Sequence, residues 1–263
     1  MHGKKLTSPR VCALIVLMWI RTAAAEQIPV RHVQLPMQRW MVTRSQTGEM
    51  IARDEFSQSV QGDEVTMHFT LHFLDGSVDE ETTSYRQEGM FRLLVDRHIE
   101  RGPFFARPVD FTVDAATGVL TSRSPEARGG SRVESRRMDL PADVANGIVG
   151  TLLLNVPRNT KPFSVDMVAP VEGGRLVQLL ISPEGERSFK MDGQNLTATV
   201  FRVHPVLGGI VGLIARLLGL QPKDVMVWIW EGSDPAVVRI VGQLGGSGPV
   251  VTSDLVGASF GRP

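Results

Sequence analysis

The sequence predicts a mainly β protein organised as a large, curved antiparallel sheet with one or two short helices. Period-two alternation of apolar and polar residues recurs in short runs along most of the chain. Turn dipeptides such as Asp75-Gly76 and Asp192-Gly193 separate those runs. A helical period surfaces in only one stretch, after Leu140. Strands therefore do not alternate with helices, which disfavours a parallel α/β sheet.

Taken in order, the elements begin with an export signal. Lys4, Lys5 and Arg10 precede an apolar run from Val11 to Ile20, and Ala23-Ala24-Ala25 supplies a small-residue cleavage site. A run of that length suits a signal peptide, whereas a membrane span needs about 20 apolar residues. Arg21, between the run and the cleavage site, leaves an uncleaved N-terminal anchor as the alternative. The expected organisation is a signal peptide over 1–25, an irregular N-terminal arm over 26–47, a single β domain over 48–256 and a tail over 257–263.

Within the β domain, Val65, Met67, Phe69, Leu71 and Phe73 share one face of a strand whose other face carries Thr66, His68, Thr70 and His72. Asp75-Gly76 then turns the chain into a returning strand over Val78 to Arg86. Met90 to Ile99 adds Phe91, Leu93 and Val95 with charged residues between them, and Val109 to Val113 and Val119 to Ser122 continue the meander. After Leu140-Pro141-Ala142-Asp143 the period changes: Val144, Ile148, Leu152 and Val156 recur at four-residue steps, predicting a short buried helix. Strand patterning resumes over Phe163 to Val168, Arg175 to Ile181, Glu186 to Met191 and Leu196 to Val203, then over Val225 to Trp230 and Ala236 to Val241. The glycine-rich tail from Gly245 adds one last strand, giving roughly ten to twelve in all. Length, turns and glycines allow such a sheet to bend through bulges.

Charge and composition exclude several functions. The chain has 28 Lys plus Arg against 28 Asp plus Glu, and Lys4, Lys5, Arg10 and Arg21 precede Glu26 with no acid among them. The exported part is thus mildly acidic and has no electrostatic reason to bind nucleic acid. The single cysteine, Cys12, lies in the signal, so the mature chain has no thiol nucleophile, disulfide or sulfur ligand. No H-E-x-x-H, G-x-S-x-G or phosphate-loop pattern occurs. His68 and His72 are about 13 Å apart on a strand, too far to share an ion. His32, His98 and His204 have no neighbouring ligand spacing, and Asp79-Glu80-Glu81 reads as a solvated strand start. The sequence alone gives no catalytic residue, metal site or cofactor.

Residues 206–220 are the most apolar part of the mature chain, but Pro205, Pro222, Arg216 and four glycines argue against a membrane span. The stretch reads either as a loop and short helix tucked against the sheet or as an apolar flap. As a flap, Leu207, Ile210, Leu213, Ile214 and Leu217 would contact a ligand. Trp228 and Trp230, on one strand face with Met226, read as sheet packing or as the wall of that site.

Leu140-Pro141 to Asn146-Gly147, Leu152-Leu153-Leu154-Asn155, Val225 to Trp230, Asp234-Pro235-Ala236-Val237-Val238-Arg239-Ile240 and Gly248-Pro249-Val250-Val251 together resemble a set of uncharacterised secreted bacterial proteins. That set is similar in turn to the LolA and LolB lipoprotein carriers. The resemblance spans roughly residues 48–256 and implies a half-barrel with helices on its concave side, in an envelope protein with a hydrophobic concavity. The expected function is that of an exported, non-enzymatic periplasmic or secreted protein holding a lipid or other apolar ligand in the trough of the sheet. Burial of about 0.8 kcal/mol per methylene would drive such binding. The alternative is an envelope scaffold that docks a protein partner through 206–220, with peripheral membrane contact compatible with either.

Overall fold

The computed structural model describes residues 27–126, 130–171, 173–191, 193–206, 222–232, 234–244 and 248–256. Fourteen strands and one helix occur among them: β1 Met37–Ser45, β2 Met50–Gln61, β3 Glu64–Phe73, β4 Val78–Glu88, β5 Met90–Arg101, β6 Val109–Asp114, β7 Val119–Pro125, β8 Ser131–Arg137, α1 Val149–Leu154, β9 Phe163–Ala169, β10 Arg175–Met191, β11 Gln194–Val206, β12 Val225–Trp230, β13 Ala236–Gln243 and β14 Val250–Val256. All fourteen form one antiparallel sheet in the order β8-β7-β6-β5-β4-β3-β2-β1-β14-β13-β12-β11-β10-β9. Among the described residues β8 and β9 do not pair with each other, so the sheet is not closed into a barrel.

The expected architecture is present, with two differences. Fourteen strands replace ten to twelve, and the arm over 26–47 is irregular only before Met37. Met37–Ser45 form β1 at the middle of the sheet, with Met41 opposite Asp54 of β2 and opposite Leu255 of β14. Local alternation hides this strand because Arg39 and Thr43 share its inward phase with Met41, while Trp40 is exposed. One of its two pairings is the local hairpin with β2, and the other comes from β14, about 200 positions away.

The predicted hairpin at Asp75-Gly76 is present between β3 and β4. Asp75 Oδ1 accepts a bond from the Ser77 amide at 2.9 Å, and Gly76 takes φ +86°, which suits glycine. Inward residues of β3, β4 and β5 (Val65, Met67, Tyr85, Phe91, Leu93) meet Phe201, Val227 and Ile229 from the far side of the sheet. Ile148, Leu152 and Leu153, at 2 %, 4 % and 0 % exposure, fill the space between them. The helix is shorter than its four-residue stripe suggests, because residues 144–148 are bridge and turn. A second cluster joins Met41, Ala236, Val238 and Leu255 to Met191 and Ala198 of the long β10–β11 hairpin. A third gathers Ala52, Leu71 and Phe73 under the 102–108 loop, where Phe104 stacks on Phe73 at 4.3 Å.

The two ends of the sheet are protected differently. The outer edge of β9 is met by the chain itself: Ala145 N–H donates to Asp166 O at 2.7 Å. Asn146 both donates to Val168 O and accepts from Val168 N–H, at 2.8 Å each. The side-chain amide thus imitates a neighbouring strand. The seven residues of β8 are exposed and include Arg132, Glu134, Arg136 and Arg137, a charged edge that discourages further pairing.

Candidate functional site

The most unusual feature of the inner wall is polar. On β4 the inward phase is Asp79, Glu81, Thr83, Tyr85 and Gln87, and the register sets Asp79 opposite Glu100, Glu81 opposite His98 and Thr83 opposite Asp96. These β5 residues turn inward because of a bulge: Tyr85 pairs with Leu93 whereas Ser84 pairs with Val95, which leaves Leu94 as an extra residue. Phase reverses across it, so Val95 is 37 % exposed and Asp96 only 2 %. Phe91 and Leu93 are buried as expected, and only Val95 departs from the expected alternation. The register also corrects the reading of Asp79-Glu80-Glu81 as solvated and of His98 as isolated.

His98 Nε2 lies 2.8 Å from Asp79 Oδ1 and 3.8 Å from Glu100 Oε1. Burial opposes its protonation, but the Asp79 hydrogen bond and the charges of Asp79, Glu81 and Glu100 together push the imidazole up to about 9. His98 is therefore a cation at neutral pH in this arrangement. The acids around it move upward. Burial raises Glu81, reinforced by Asp96 and opposed by His98. Burial also raises Asp96, against the Thr83 hydrogen bond at 2.7 Å, the His98 charge and Asn146. Glu100 is raised by burial, with His98 acting the other way. Two strands away on the same wall, Asp54 is raised by burial although Thr43 and Ser253 bond to it.

The 144–148 segment packs against this patch. Gly147, at φ +68°, has space for no Cβ, since one would collide with Thr83 Oγ1 and Asp96 Oδ1. The Leu140 to Gly147 stretch singled out in the sequence therefore seals β9 on one side and contacts the acid patch on the other.

Of the residues expected to bind a ligand, Leu207, Ile210, Leu213, Ile214 and Leu217 lie outside the described residues. Trp228 and Trp230 pack against the second apolar cluster, and the Arg239 guanidinium sits 5.2 Å from the centre of a Trp228 ring. Trp230 also borders a cavity of about 400 Å³ with Arg158, Glu186, Thr197, Thr199 and Glu231. Its walls are polar, with Arg158 paired to Glu186 at 3.0 Å and Thr199 donating to Glu231 at 2.8 Å. His68 and His72 occupy the solvent face, as expected, and His68 is within 3.1 Å of the Thr82 hydroxyl. No helix among the described residues is long and apolar enough to cross a membrane.

No protein-family profile matches the chain, and neither does any curated protein sequence. Among solved structures, the chain is similar to a β-barrel-like protein of a domain of unknown function, DUF1849, from Brucella abortus. The TM-score is 0.46 at 9 % identity, over 86 % of this chain and 98 % of that one. The description of that neighbour says nothing of the LolA and LolB carriers.

Proposed function

We propose that this chain is an exported, non-enzymatic protein of the bacterial envelope that works as an interaction scaffold, docking a protein partner through the apolar stretch 206–220. One observation carries the choice of scaffold over carrier: beside the helix, the inner face is packed with the protein's own side chains. Ile148, Leu152 and Leu153 sit against Tyr85, Phe201 and Ile229 where an acyl chain would have to lie. An apolar ligand would have to displace this packing, and a buried leucine alone contributes about 1.5–3 kcal/mol. The cavity beside Trp230, being polar, offers an alkyl chain little reward. The export signal supports the location, and the lack of a catalytic motif supports a non-enzymatic role.

The discriminating experiment compares the full chain with a Leu213→Ser, Ile214→Ser variant, both checked for native β content by circular dichroism. The scaffold reading predicts that a specific envelope protein is captured by the full chain and lost in the variant, with no lipid extracted from either. Reproducible extraction of a lipid from the full chain, lost in the variant, overturns the scaffold and restores the carrier.

A further inference from the structure

We infer that Asp79, His98 and Glu100 form a binding site for one divalent transition-metal ion of the zinc or manganese kind. The site lies on the inner wall of the sheet and goes beyond the scaffold role. A carboxylate oxygen of Asp79, a ring nitrogen of His98 and a carboxylate oxygen of Glu100 all lie within 4.8 Å of one another. Donors bound tetrahedrally at about 2.0–2.2 Å from zinc stand about 3.4 Å apart. The separations of 2.8 Å and 3.8 Å from His98 Nε2 to the two carboxylates bracket that value. Asp79 and Glu100 are directly paired across two hydrogen-bonded strands, and His98 is two residues from Glu100 on the same face. Donors on paired strands are held more firmly than donors on loops.

The surroundings point to a missing cation. Among the described residues no Lys or Arg ion pair reaches Asp79, Glu81, Asp96 or Glu100, and His98 is their one cationic partner. The Glu81 side chain, opposite His98, makes no hydrogen bond among the described residues. Asp54, 1 % exposed, is on the same wall, opposite Leu71, which is itself opposite Asp79. Its Oδ2 accepts from the Thr43 hydroxyl at 2.7 Å, while its Oδ1 has no partner. An orphaned carboxylate oxygen at that depth is costly, and several acids facing one imidazole repeat the deficit. A divalent ion takes a neutral imidazole as ligand and is balanced by the two carboxylates. The imidazole favours zinc over calcium and magnesium, which prefer all-oxygen sites, and the two carboxylates also suit manganese. Asp79, Glu81, His98 and Glu100 are all polar in the sequence, and only the register brings them to one spot.

The test titrates chelator-treated mature chain with zinc chloride by calorimetry and with cobalt chloride by visible absorption. The expected result is one saturable equivalent, a cobalt spectrum with ligand-field bands, and at least about a tenfold loss of affinity in His98→Asn and in Glu100→Gln. His204→Asn, which removes a surface histidine paired with Asp224 at 2.6 Å, is expected to bind as the wild type does. Nitrogen-detected NMR of the wild-type histidine rings guards against a misfolded variant, because zinc must shift the His98 ring first. Absence of saturable binding, or binding that leaves the His98 ring unmoved, overturns the site and leaves His98 as the partner of Asp79 and Glu100 alone.

Discussion

Where the inner wall faces the 144–156 segment, β3, β4, β5 and β11 turn Val65, Met67, Tyr85, Leu93 and Phe201 toward Ile148 and Leu153, and the space closes on itself. A few residues further along, the same β4 and β5 turn Asp79, Glu81, Asp96, His98 and Glu100 inward, and Asp54 of β2 joins them on that wall. Both regions follow the period-two rule, and both exclude much of the solvent. The apolar one needs nothing further, since each buried methylene is its own reward. The polar one holds acids whose ionisation burial disfavours, with a single imidazole for compensation. Stability is concentrated in the first region, and the second is where the fold carries a chemical capacity it does not need for folding.

If that division is right, Leu153→Ala has the largest effect. Leu153 is fully buried, and its truncation removes about 2–5 kcal/mol of unfolding free energy in a urea or thermal titration. A loss below about 1 kcal/mol would mean that the 144–156 segment is not part of the core.

Asn146→Ala is expected to cost less, about 1–3 kcal/mol, because it strips the partners from the Val168 amide and carbonyl without opening a large cavity. Hydrogen exchange sharpens the point. The Val168 amide should lose protection selectively, and uniform loss across the sheet would show that Asn146 acts on global stability rather than on the β9 edge.

The smallest effect concerns Asp54→Asn and depends on pH. Burial holds the Asp54 carboxyl above its usual range in the folded state. Its contribution to stability is therefore fully present below the unfolded pKa of about 3.9 and is lost as pH rises through the higher folded value. Unfolding titrations between pH 4 and pH 7 should show the wild type losing stability relative to Asp54→Asn as pH increases. The opposite slope would mean that Asp54 is stabilised as an anion and that the wall is not short of positive charge.

How much of this was legible in the chain differs from strand to strand. On β3, the Val65 to Phe73 alternation sorts apolar from polar residues cleanly, so both the strand and its buried face could be read. On β4 both phases are polar apart from Val78 and Tyr85, so alternation announces a strand without saying which set of carboxylates goes inside. Packing of Tyr85 opposite Val65 makes that choice. On β5 the extra residue at Leu94 reverses the phase, and extending the Phe91–Leu93 face to Val95 put Asp96, His98 and Glu100 on the wrong side. Charged residues in the phase of buried Tyr85 were the available signal, but it becomes readable only when the bulge is known.

The sequence by itself determined what depends on neighbours along the chain: the strands with clean alternation, the turn at Asp75-Gly76 and the switch to helical period after Leu140. Tertiary structure decided which face of β4 and β5 is inner, placed β1 beside β14, and brought Asn146 to the open edge of β9. The reason is physical. Periodicity fixes relative side-chain directions within one strand, whereas the inner side is defined by partners from distant parts of the chain, and one bulged residue is enough to exchange the two faces.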